Sequence, residues 1–561
     1  MRKSARLKTV IEWTSFVIFL LVALFAVANC KGGDNDWQSA ELETAQSTGG
    51  GGDIESQIEK PKKTGAVWGV AGGQGPAKTQ NAAVPNAPKA QKADTNTKIE
   101  ANVTVAALPE KKPVKTPAPL KSGEKTAVKT ESNDSVLLSK EKYLLKSNRK
   151  KGTADVVETL LEVAGTVKQP ASELNPSVKA TDNKMEVIAG FRYEERISKA
   201  ASAGGGQVAV RQYNLAKSKM KIGDRTKAPE LDEKIQTIVC SLEQDKVSLF
   251  SPKGSLRGEQ LLLIEDLPGN TLTIDRLLPE KAVAVGETWK VSDQILRSFL
   301  SVDAVIESNV TAVLSAVADD MAMVEVVGDV SGVYLGAATE MSVRAKYQFD
   351  LKAKRINWLG LLIEEDRSIG HVGPGLNLTA KVQVKISPLA EAQVLTDTVM
   401  DTIVTEPDAQ MLALKYDGGK GPWRFAHDRS WYVFQDDPQA AILRRLEDGE
   451  LIAQCNIADM GTVDPRTMTT IDKFQQDLVA GLGKNFGKVV SAEEHVSKAG
   501  YKVYQVLIDG MVDDLPLRWI YNLLTDKSGR QSVVVFVVEA DKLDRFGDSD
   551  EVLLSTYRMG K

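Results

Sequence analysis

Two stretches of strictly alternating apolar and polar residues constrain the fold of this chain more than any other feature. Apolar side chains occupy every second position from Met341 to Leu351, and the pattern returns from Leu376 to Ile386. A period of two residues sends alternate side chains to opposite faces of a β-strand. Each stretch therefore predicts a long strand with one polar face. The apolar face needs a cover, which a second sheet, a closed barrel or packed helices can supply.

Residues 153–388, which include these strands, predict a mostly antiparallel β-domain. Apolar runs separated by turn residues are typical of β-hairpins, and apolar residues at helical spacing indicate short helices. The expected elements are hairpins of Val310–Val317 with Met321–Val327 and of Gln260–Asp266 with Thr271–Leu278, helices over Thr153–Glu162 and Asp293–Leu300, and a first strand near Glu186.

The segment Ala282–Trp289 enters a strand and is followed by long hairpins, and in this it resembles envelope lipoproteins with a half-barrel that carries lipids. The resemblance implies an apolar ligand on the concave face of the sheet. The same apolar stripes also suit a closed core, which is the commoner outcome. Both readings remain open at the level of sequence.

The chain beyond Pro388 predicts a connector over 389–410 and a second domain over 411–561. Pro388 ends the preceding strand because proline lacks a backbone donor. Strands are predicted at Trp431–Phe434, Leu451–Ile457, Tyr501–Ile508, Leu517–Leu524 and Ser532–Glu539. A helix is predicted at Thr470–Leu482, with Thr469 or Thr470 as N-cap and Gly483 as C-cap, and a last helix near Phe546–Leu554.

The order of strands, helix, strands and helix resembles the PsbP-like and DcrB-like α/β/α sandwich, and Leu517–Tyr557 carries most of the likeness. Proteins of that fold act mainly as binding or assembly modules, so the resemblance implies an interaction role and supplies no catalytic site. The predicted fold is multidomain. A disordered arm precedes a mostly antiparallel β-domain, and an α+β domain of the α/β/α sandwich type follows.

The first thirty residues are typical of an export signal. Four basic residues precede the apolar run Phe16–Ala28, which leads to Cys30. The run Val27-Ala28-Asn29-Cys30 resembles the lipobox of bacterial lipoproteins, which implies that Cys30 is a lipid attachment site. Asn29 departs from the Gly, Ala or Ser that this family prefers, so an uncleaved signal anchor and an ordinary cleaved signal remain alternatives. The lipoprotein and anchor readings both place the rest of the chain on the exported side of a membrane, in the periplasm or at the cell surface.

Residues 31–152 predict a disordered tether rich in Pro, Ala, Lys and Gly. Aromatic residues are scarce in it, so little apolar surface exists to offset the entropy of ordering the backbone. Between Lys60 and Lys151, 19 basic residues stand against 7 acidic ones. Such a segment can lie along an anionic envelope polymer or anionic lipid, or act only as a solvated spacer. The whole-chain net charge of -4 gives no argument for nucleic acid.

The remaining chemistry of the sequence is sparse. Cys240 and Cys455 fall in different predicted domains, which indicates small buried apolar residues rather than a disulfide. No phosphate loop, dinucleotide fingerprint, nucleophile elbow or zinc-helix motif occurs. The residues weighed for acid–base, metal or calcium chemistry and set aside are His371, His427, His495, Glu493, Glu494, Asp544, Asp548, Asp550 and Glu551.

These observations predict a membrane-tethered envelope protein that is not an enzyme. Its expected role is binding or assembly with a protein partner that the sequence does not identify, and no cofactor, metal or catalytic residue is assigned. The alternative is a carrier of a lipid or other apolar ligand in the β-domain.

Overall fold

The computed structural model describes residues 141–175, 177–200, 206–265, 267–417 and 419–560. The predicted anchor, the lipid attachment site at Cys30 and nearly all of the predicted tether lie outside these residues. Among the described residues, every helix is too short or too polar to span a bilayer.

The described chain up to Leu389 is dominated by strands. Its strands are β1 (Lys142–Tyr143), β2 (Ala154–Gln169), β3 (Thr181–Lys199), β4 (Gln207–Ile222), β5 (Arg225–Lys227), β6 (Thr237–Glu243), β7 (Lys246–Phe250), β8 (Leu256–Arg257), β9 (Val283–Ala284), β10 (Thr288–Lys290), β11 (Ala304–Ser308), β12 (Thr311–Ala318), β13 (Met321–Tyr334), β14 (Ala337–Asp350), β15 (Arg355–Arg367) and β16 (Gly375–Leu389). Its helices are α1 (Gly258–Glu265), α2 (Thr271–Ile274) and α3 (Asp293–Leu300).

Thirteen of these strands form one antiparallel sheet. The order across the sheet is β10-β12-β13-β14-β15-β16-β2-β3-β4-β6-β7, with β11 beside β13 and β5 beside β4. Most neighbours are consecutive in the chain, so hairpins build most of the sheet. Three pairs skip one strand, namely β10–β12, β11–β13 and β4–β6. The long-range exception is β16, which returns to pair with β2 along its whole length.

Helices α1, α2 and α3 form a layer on one face of this sheet, which we call the helical layer. Leu261, Leu272 and Leu296 from the three helices share one buried apolar cluster with the sheet. That cluster also contains Leu249 of β7 and Leu314 of β12, which lie toward opposite edges. The sheet therefore curves around the helices. We call the covered face concave and the opposite face convex.

Two local predictions in this region are wrong. Thr153–Glu162 lies mostly in strand β2, because Val157 and the residues that alternate with it pair in register with β3 and β16. The hairpin predicted between Gln260–Asp266 and Thr271–Leu278 is replaced by α1 and α2. The Asn270 side chain accepts a hydrogen bond from the Leu272 amide, which is N-cap geometry and favours a helix over a turn.

Glu186 lies in a strand as predicted, but that strand is β3 and not the first, because residues 154–169 form β2 and pair with it. The predictions for one helix and one hairpin are confirmed. Asp293–Leu300 is helix α3, and β12 and β13 form the predicted hairpin. Its two turn residues, Asp319 and Asp320, have φ of 51° and 61°, as a two-residue hairpin turn requires. The two alternating stretches are strands β14 and β16, with their apolar side chains on the concave face.

The chain beyond Leu389 contains helices and a second large sheet. The elements are α4 (Asp397–Met400), α5 (Ala409–Leu412), β17 (Leu414–Tyr416), β18 (Trp423–His427), β19 (Trp431–Asp436), β20 (Ala440–Glu447), β21 (Glu450–Thr462), α6 (Ile471–Leu482), β22 (Phe486–Val496), β23 (Lys502–Val512), β24 (Leu515–Thr525), β25 (Arg530–Glu539), α7 (Leu543–Phe546), α8 (Ser549–Thr556) and β26 (Arg558–Met559). Seven strands pair in the order β19-β20-β21-β25-β24-β23-β22, all antiparallel.

Both faces of the seven-stranded sheet carry helices. Phe474 and Leu478 of α6 pack on one face with Trp519. Phe546 of α7 and Leu553 of α8 belong to the cluster on the other face. Helix α6 begins and ends as predicted, since Thr470 accepts a hydrogen bond from the Lys473 amide and Gly483 follows the last turn. The mostly antiparallel β character of the fold is confirmed for the described residues.

Two glycines on neighbouring strands of the large sheet give a matched test of this packing. A Cβ on Gly165 would lie 2.2 Å from the carbonyl oxygen of Asn377 in β16, whereas a Cβ on Gly190 would meet only Leu215 at 3.7 Å. Gly165→Ala is expected to lower the free energy of unfolding by about 1–3 kcal/mol through overpacking. Gly190→Ala should leave it unchanged or raise it by about 0.4–1 kcal/mol. Denaturant unfolding of both variants checks this, and equal effects would contradict the β2–β16 register.

Candidate functional site

Ionisable side chains are buried between the large sheet and the helical layer. Glu195 of β3 and Asp155 of β2 have no solvent-exposed side-chain surface, and the Arg149 and Arg211 side chains are 3% exposed. We call this group, with Asp275 and Arg355, the buried ion cluster. Burial of charges in a protein interior is costly unless they are paired and hydrogen-bonded, so the partners of each charge decide what the cluster does.

Glu195 is the centre of the buried ion cluster. One carboxylate oxygen accepts a hydrogen bond from Arg149. The other accepts from Arg211 Nε at 2.8 Å and from the Thr271 hydroxyl at 2.6 Å. Glu195 and Arg211 are directly opposite each other on β3 and β4. The carboxylate therefore joins the sheet, the segment before β2 and the first turn of α2.

Arg211 makes a second set of bonds to the helical layer. Its Nη2 atom donates to Asn270 Oδ1 at 2.7 Å and to Thr271 Oγ1 at 2.9 Å. The same Asn270 oxygen accepts from the Leu272 amide at 3.1 Å and so caps α2. The guanidinium group of Arg211 thus binds both Glu195 of the sheet and Asn270, the N-cap residue of α2.

Arg149 ties the chain before β2 to the same place. It donates to the Thr271 carbonyl oxygen at 2.8 Å and lies beside Asp155, which also accepts from Arg355. Asp275, four residues after Thr271, accepts a hydrogen bond from the Ser147 hydroxyl at 2.7 Å. Three chain segments distant in sequence are therefore held together by charge-assisted hydrogen bonds.

Three arginines and three carboxylates balance one another in the buried ion cluster. Burial alone would raise the pKa of Glu195, but Arg211 and Arg149 outweigh it and the pKa is lowered. For Asp155 and Asp275 burial dominates and the pKa is raised despite Arg149.

Two further groups beside the cluster are also shifted by burial. Burial raises the pKa of Tyr213 to about 12 and raises that of the Cys240 thiol. Guanidinium groups stay protonated in proteins and do not act as acid–base catalysts. The arrangement is suited to holding the helical layer on the sheet.

The concave face continues beyond the helical layer as a second apolar cluster. Its rows are set by the register: Leu378, Gly165, Met185 and Ile222 lie side by side on β16, β2, β3 and β4. Five side chains of this cluster remain half-buried. We call the set the apolar mouth, and it comprises Val163, Val167, Met185, Val187, Met220, Ile222, Leu376 and Leu378.

The apolar mouth and the core under the helical layer are continuous. Val163 and Leu378 contact both clusters. In the next row inward, Val382, Leu161 and Ala189 already belong to the larger core. An apolar surface therefore runs from the packed interior to the ends of strands β16, β2, β3 and β4.

A second buried charge joins the two large sheets. Arg444 of β20 is 5% exposed, pairs with Glu173 and donates to the His371 carbonyl oxygen at 2.6 Å. Nearby, Gln435 Oε1 accepts from the Ser172 hydroxyl at 3.0 Å and from two backbone amides. Loops from the large sheet thus cover the part of the seven-stranded sheet that α6 leaves open.

The structure does not bring the residues weighed from the sequence into one site. Cys240 and Cys455 are both buried free thiols, as predicted. His371 lies in the loop before β16, His427 is buried at the end of β18, and His495 is exposed on β22. Asp548 stands at the N-cap of α8, but its side chain makes no capping bond. The predicted lipid site at Cys30 lies outside the described residues.

The buried ion cluster was missed by the sequence reasoning, although a signal for it exists. Glu195 is in phase with the apolar Phe191, Tyr193 and Ile197, and Arg211 is in phase with Ala209. A charge at an apolar-phase position of a strand indicates a buried, paired charge, because unpaired charges are excluded from cores.

No protein-family model and no curated protein matches the sequence. Among solved structures, the translocator domain of autotransporter NalP from Neisseria meningitidis aligns at TM-score 0.11 and 7% identity, over 70% of this chain and 90% of that chain. The outer membrane protein OprD from Pseudomonas aeruginosa aligns at TM-score 0.11 and 8% identity, over 71% and 96%. Kievitone hydratase from Nectria haematococca aligns at TM-score 0.10 and 7% identity, over 71% and 91%. Likenesses at this level carry no argument about fold or function.

Neutralising Glu195 tests the role of the buried ion cluster. Glu195→Gln leaves Arg149 and Arg211 buried beside a neutral partner, so we expect the free energy of unfolding to fall by about 3–5 kcal/mol. The matched control is Glu162→Gln, an exposed carboxylate on β2, for which a change within about 0.5 kcal/mol is expected. Equal losses in the two variants would contradict the account.

Buried His427 gives a prediction for pH. Burial lowers its pKa below the ordinary value of 6.5, with the Asp428 carbonyl opposing the shift through the ring Nδ1 atom. A group whose folded-state pKa is lowered contributes stability that is present above its unfolded pKa and is lost as pH falls through the folded one.

The free energy of unfolding should therefore fall between about pH 7.5 and about pH 5.5. His427→Asn keeps a donor for the Asp428 carbonyl and should reduce this fall. It should not abolish it, because burial also lowers the pKa of His371. Denaturant unfolding at the two pH values is the measurement, and an unchanged slope in the variant would count against the assignment.

Proposed function

We propose that this chain is a non-catalytic binding protein, held at a membrane by its N-terminal residues, whose β-domain takes an apolar ligand at the apolar mouth. One observation carries the proposal: the apolar concave face continues past the helical layer and stays half-buried at its end. Apolar concave surfaces with few polar groups are the usual sites for apolar ligands.

The composition of the apolar mouth supports this assignment. Met185 and Met220 contribute unbranched, flexible side chains that adapt to irregular apolar partners. Leu378, Met185 and Ile222 extend this apolar surface in one row across β16, β3 and β4. An acyl chain or a similar elongated apolar group has the shape that such a row accommodates.

The N-terminal residues and the second domain have roles of their own in this proposal. Cys30 is proposed as the lipid attachment site and the exported side of a membrane as the location, on the strength of the lipobox resemblance. Residues 411–561 are proposed to be an α/β/α sandwich with an assembly role. The helices on both faces of the seven-stranded sheet support that reading.

Lipid extraction tests the binding role directly. We expect the full chain, purified in detergent, to release an acyl-containing compound into organic solvent, detected by mass spectrometry. A lipid covalently bound at Cys30 would stay with the protein and not interfere. Met220→Asp places a carboxylate in the apolar mouth and should remove most of this compound, whereas Met511→Asp, at a 50% exposed position on β23, should not.

The outcomes separate the two binding roles. An empty extract from the native chain would rule out the carrier role under these conditions. A co-purifying protein that is lost in Met220→Asp and kept in Met511→Asp would instead place a protein partner at the apolar mouth.

A further inference from the structure

The convex face of the large sheet has an unusual surface. Backbone pairing places its outward-facing residues on a regular grid across β13, β14, β15, β16, β2, β3 and β4. We call three adjacent rows of this grid the convex patch. The first row is Gln348, Trp358, Lys385, Glu158, Arg192 and Leu215; the second is Glu325, Lys346, Gly360, Gln383, Leu160, Gly190 and Lys217; the third is Val327, Arg344, Leu362, Lys381, Glu162, Ile188 and Lys219.

Apolar side chains occupy positions of the convex patch where a solvated sheet face normally carries polar ones. Leu160 is 39% exposed, Ile188 is 50% exposed and Val327 is 53% exposed. Trp358 lies over Gly360, since a Cβ on that glycine would meet the indole ring at 2.7 Å. Leu160 and Ile188 are diagonal neighbours on β2 and β3, and contiguous exposed apolar residues of this kind mark interaction sites rather than ordinary surface.

The charge of the convex patch is strongly one-sided. Seven of its side chains are cationic and three are carboxylates. The pairs within it are long or solvent-exposed: Glu158 lies 3.7 Å from Arg192 and 3.8 Å from Lys385. The next row along the strands is acidic, with Glu364 and Glu186. The positive charge is therefore concentrated in the middle of the strands.

We propose that the convex patch docks on the surface of a bilayer that contains anionic lipids. Aliphatic and indole side chains interleaved with lysine and arginine suit the headgroup region, where the apolar groups enter the acyl boundary and the cations pair with lipid phosphates. Five of the seven cations are lysines, which are depleted in protein–protein interfaces. A convex surface also meets a planar bilayer at its middle, where these rows lie. This inference does not depend on the apolar mouth.

A fluorophore on the convex patch tests the docking in the full chain. Leu160→Cys and, as control, Val496→Cys on β22, 72% exposed, are labelled with an environment-sensitive dye and reconstituted in vesicles. Cys240 and Cys455 are buried, and the chain without an added cysteine reports the background from Cys30. With phosphatidylglycerol vesicles we expect a blue shift and quenching by lipid-borne nitroxide at position 160 only. Phosphatidylcholine vesicles should give neither effect.

Charge reversal supplies the second measurement. Arg344→Glu with Lys381→Glu and Lys219→Glu should reduce the quenching at position 160 to the level of the control position. Reversing Lys488 of β22 together with Lys498 and Lys527, which lie in two turns of the second sheet, should not, although all three are exposed. Salt at about 1 M, where the Debye length is about 3 Å, should weaken the signal.

Three results would overturn the proposal. Quenching that is equal at positions 160 and 496 would mean that the body has no preferred orientation on the bilayer. Quenching in phosphatidylcholine alone as strong as with phosphatidylglycerol would remove the charge argument. Quenching that survives the patch reversal would place the contact elsewhere.

Discussion

The ion pair between Glu195 and Arg211 is the interaction on which the N-terminal part of the structure depends. A thirteen-stranded sheet with an apolar concave face needs a cover, and the cover here is a short helical segment of the same chain. Apolar contact is non-directional and does not by itself fix the position of such a segment. The charged hydrogen bonds of Glu195 and Arg211 to Thr271 and Asn270 supply the direction. Their burial makes the geometry all the more specific, because any other arrangement leaves a charge unpaired.

A second buried arginine, paired with a carboxylate, lies where the two large sheets meet. Arg444 emerges from the seven-stranded sheet and is bound by Glu173 and by a carbonyl oxygen from the loop before β16. Its guanidinium group also stacks 3.7 Å from the centre of the Phe434 ring. Buried arginines thus hold both contacts: Arg211 binds the helical layer to the large sheet, and Arg444 binds the second sheet to loops of the large sheet. The result is a body whose outer surfaces, the apolar mouth and the convex patch, have defined positions on one framework.

The elements predicted correctly from the sequence are those that residue periodicity and turn chemistry determine. The alternation in β14 and β16, the Asp319-Asp320 hairpin and the caps of α6 follow from local rules. The failures have a common cause: residues 153–162 and 260–278 carry apolar runs whose local preference is ambiguous, and pairing with distant strands or Asn270 capping decides them. Glu195 and Arg211 are 16 positions apart and meet Thr271 only in the folded chain. The feature of the sequence that indicates this cluster is that both charges occupy strand positions in phase with apolar residues.

The most direct test of this account is amide hydrogen exchange across residues 258–300 in the full chain and in Arg211→Met. Methionine keeps much of the arginine stem but removes the bonds to Glu195, Asn270 and Thr271. The account predicts faster exchange in α1, α2 and α3 of the variant, with β23, β24 and β25 of the second sheet unchanged. Unchanged protection of the helical layer, or a loss of protection spread equally over both sheets, would contradict it.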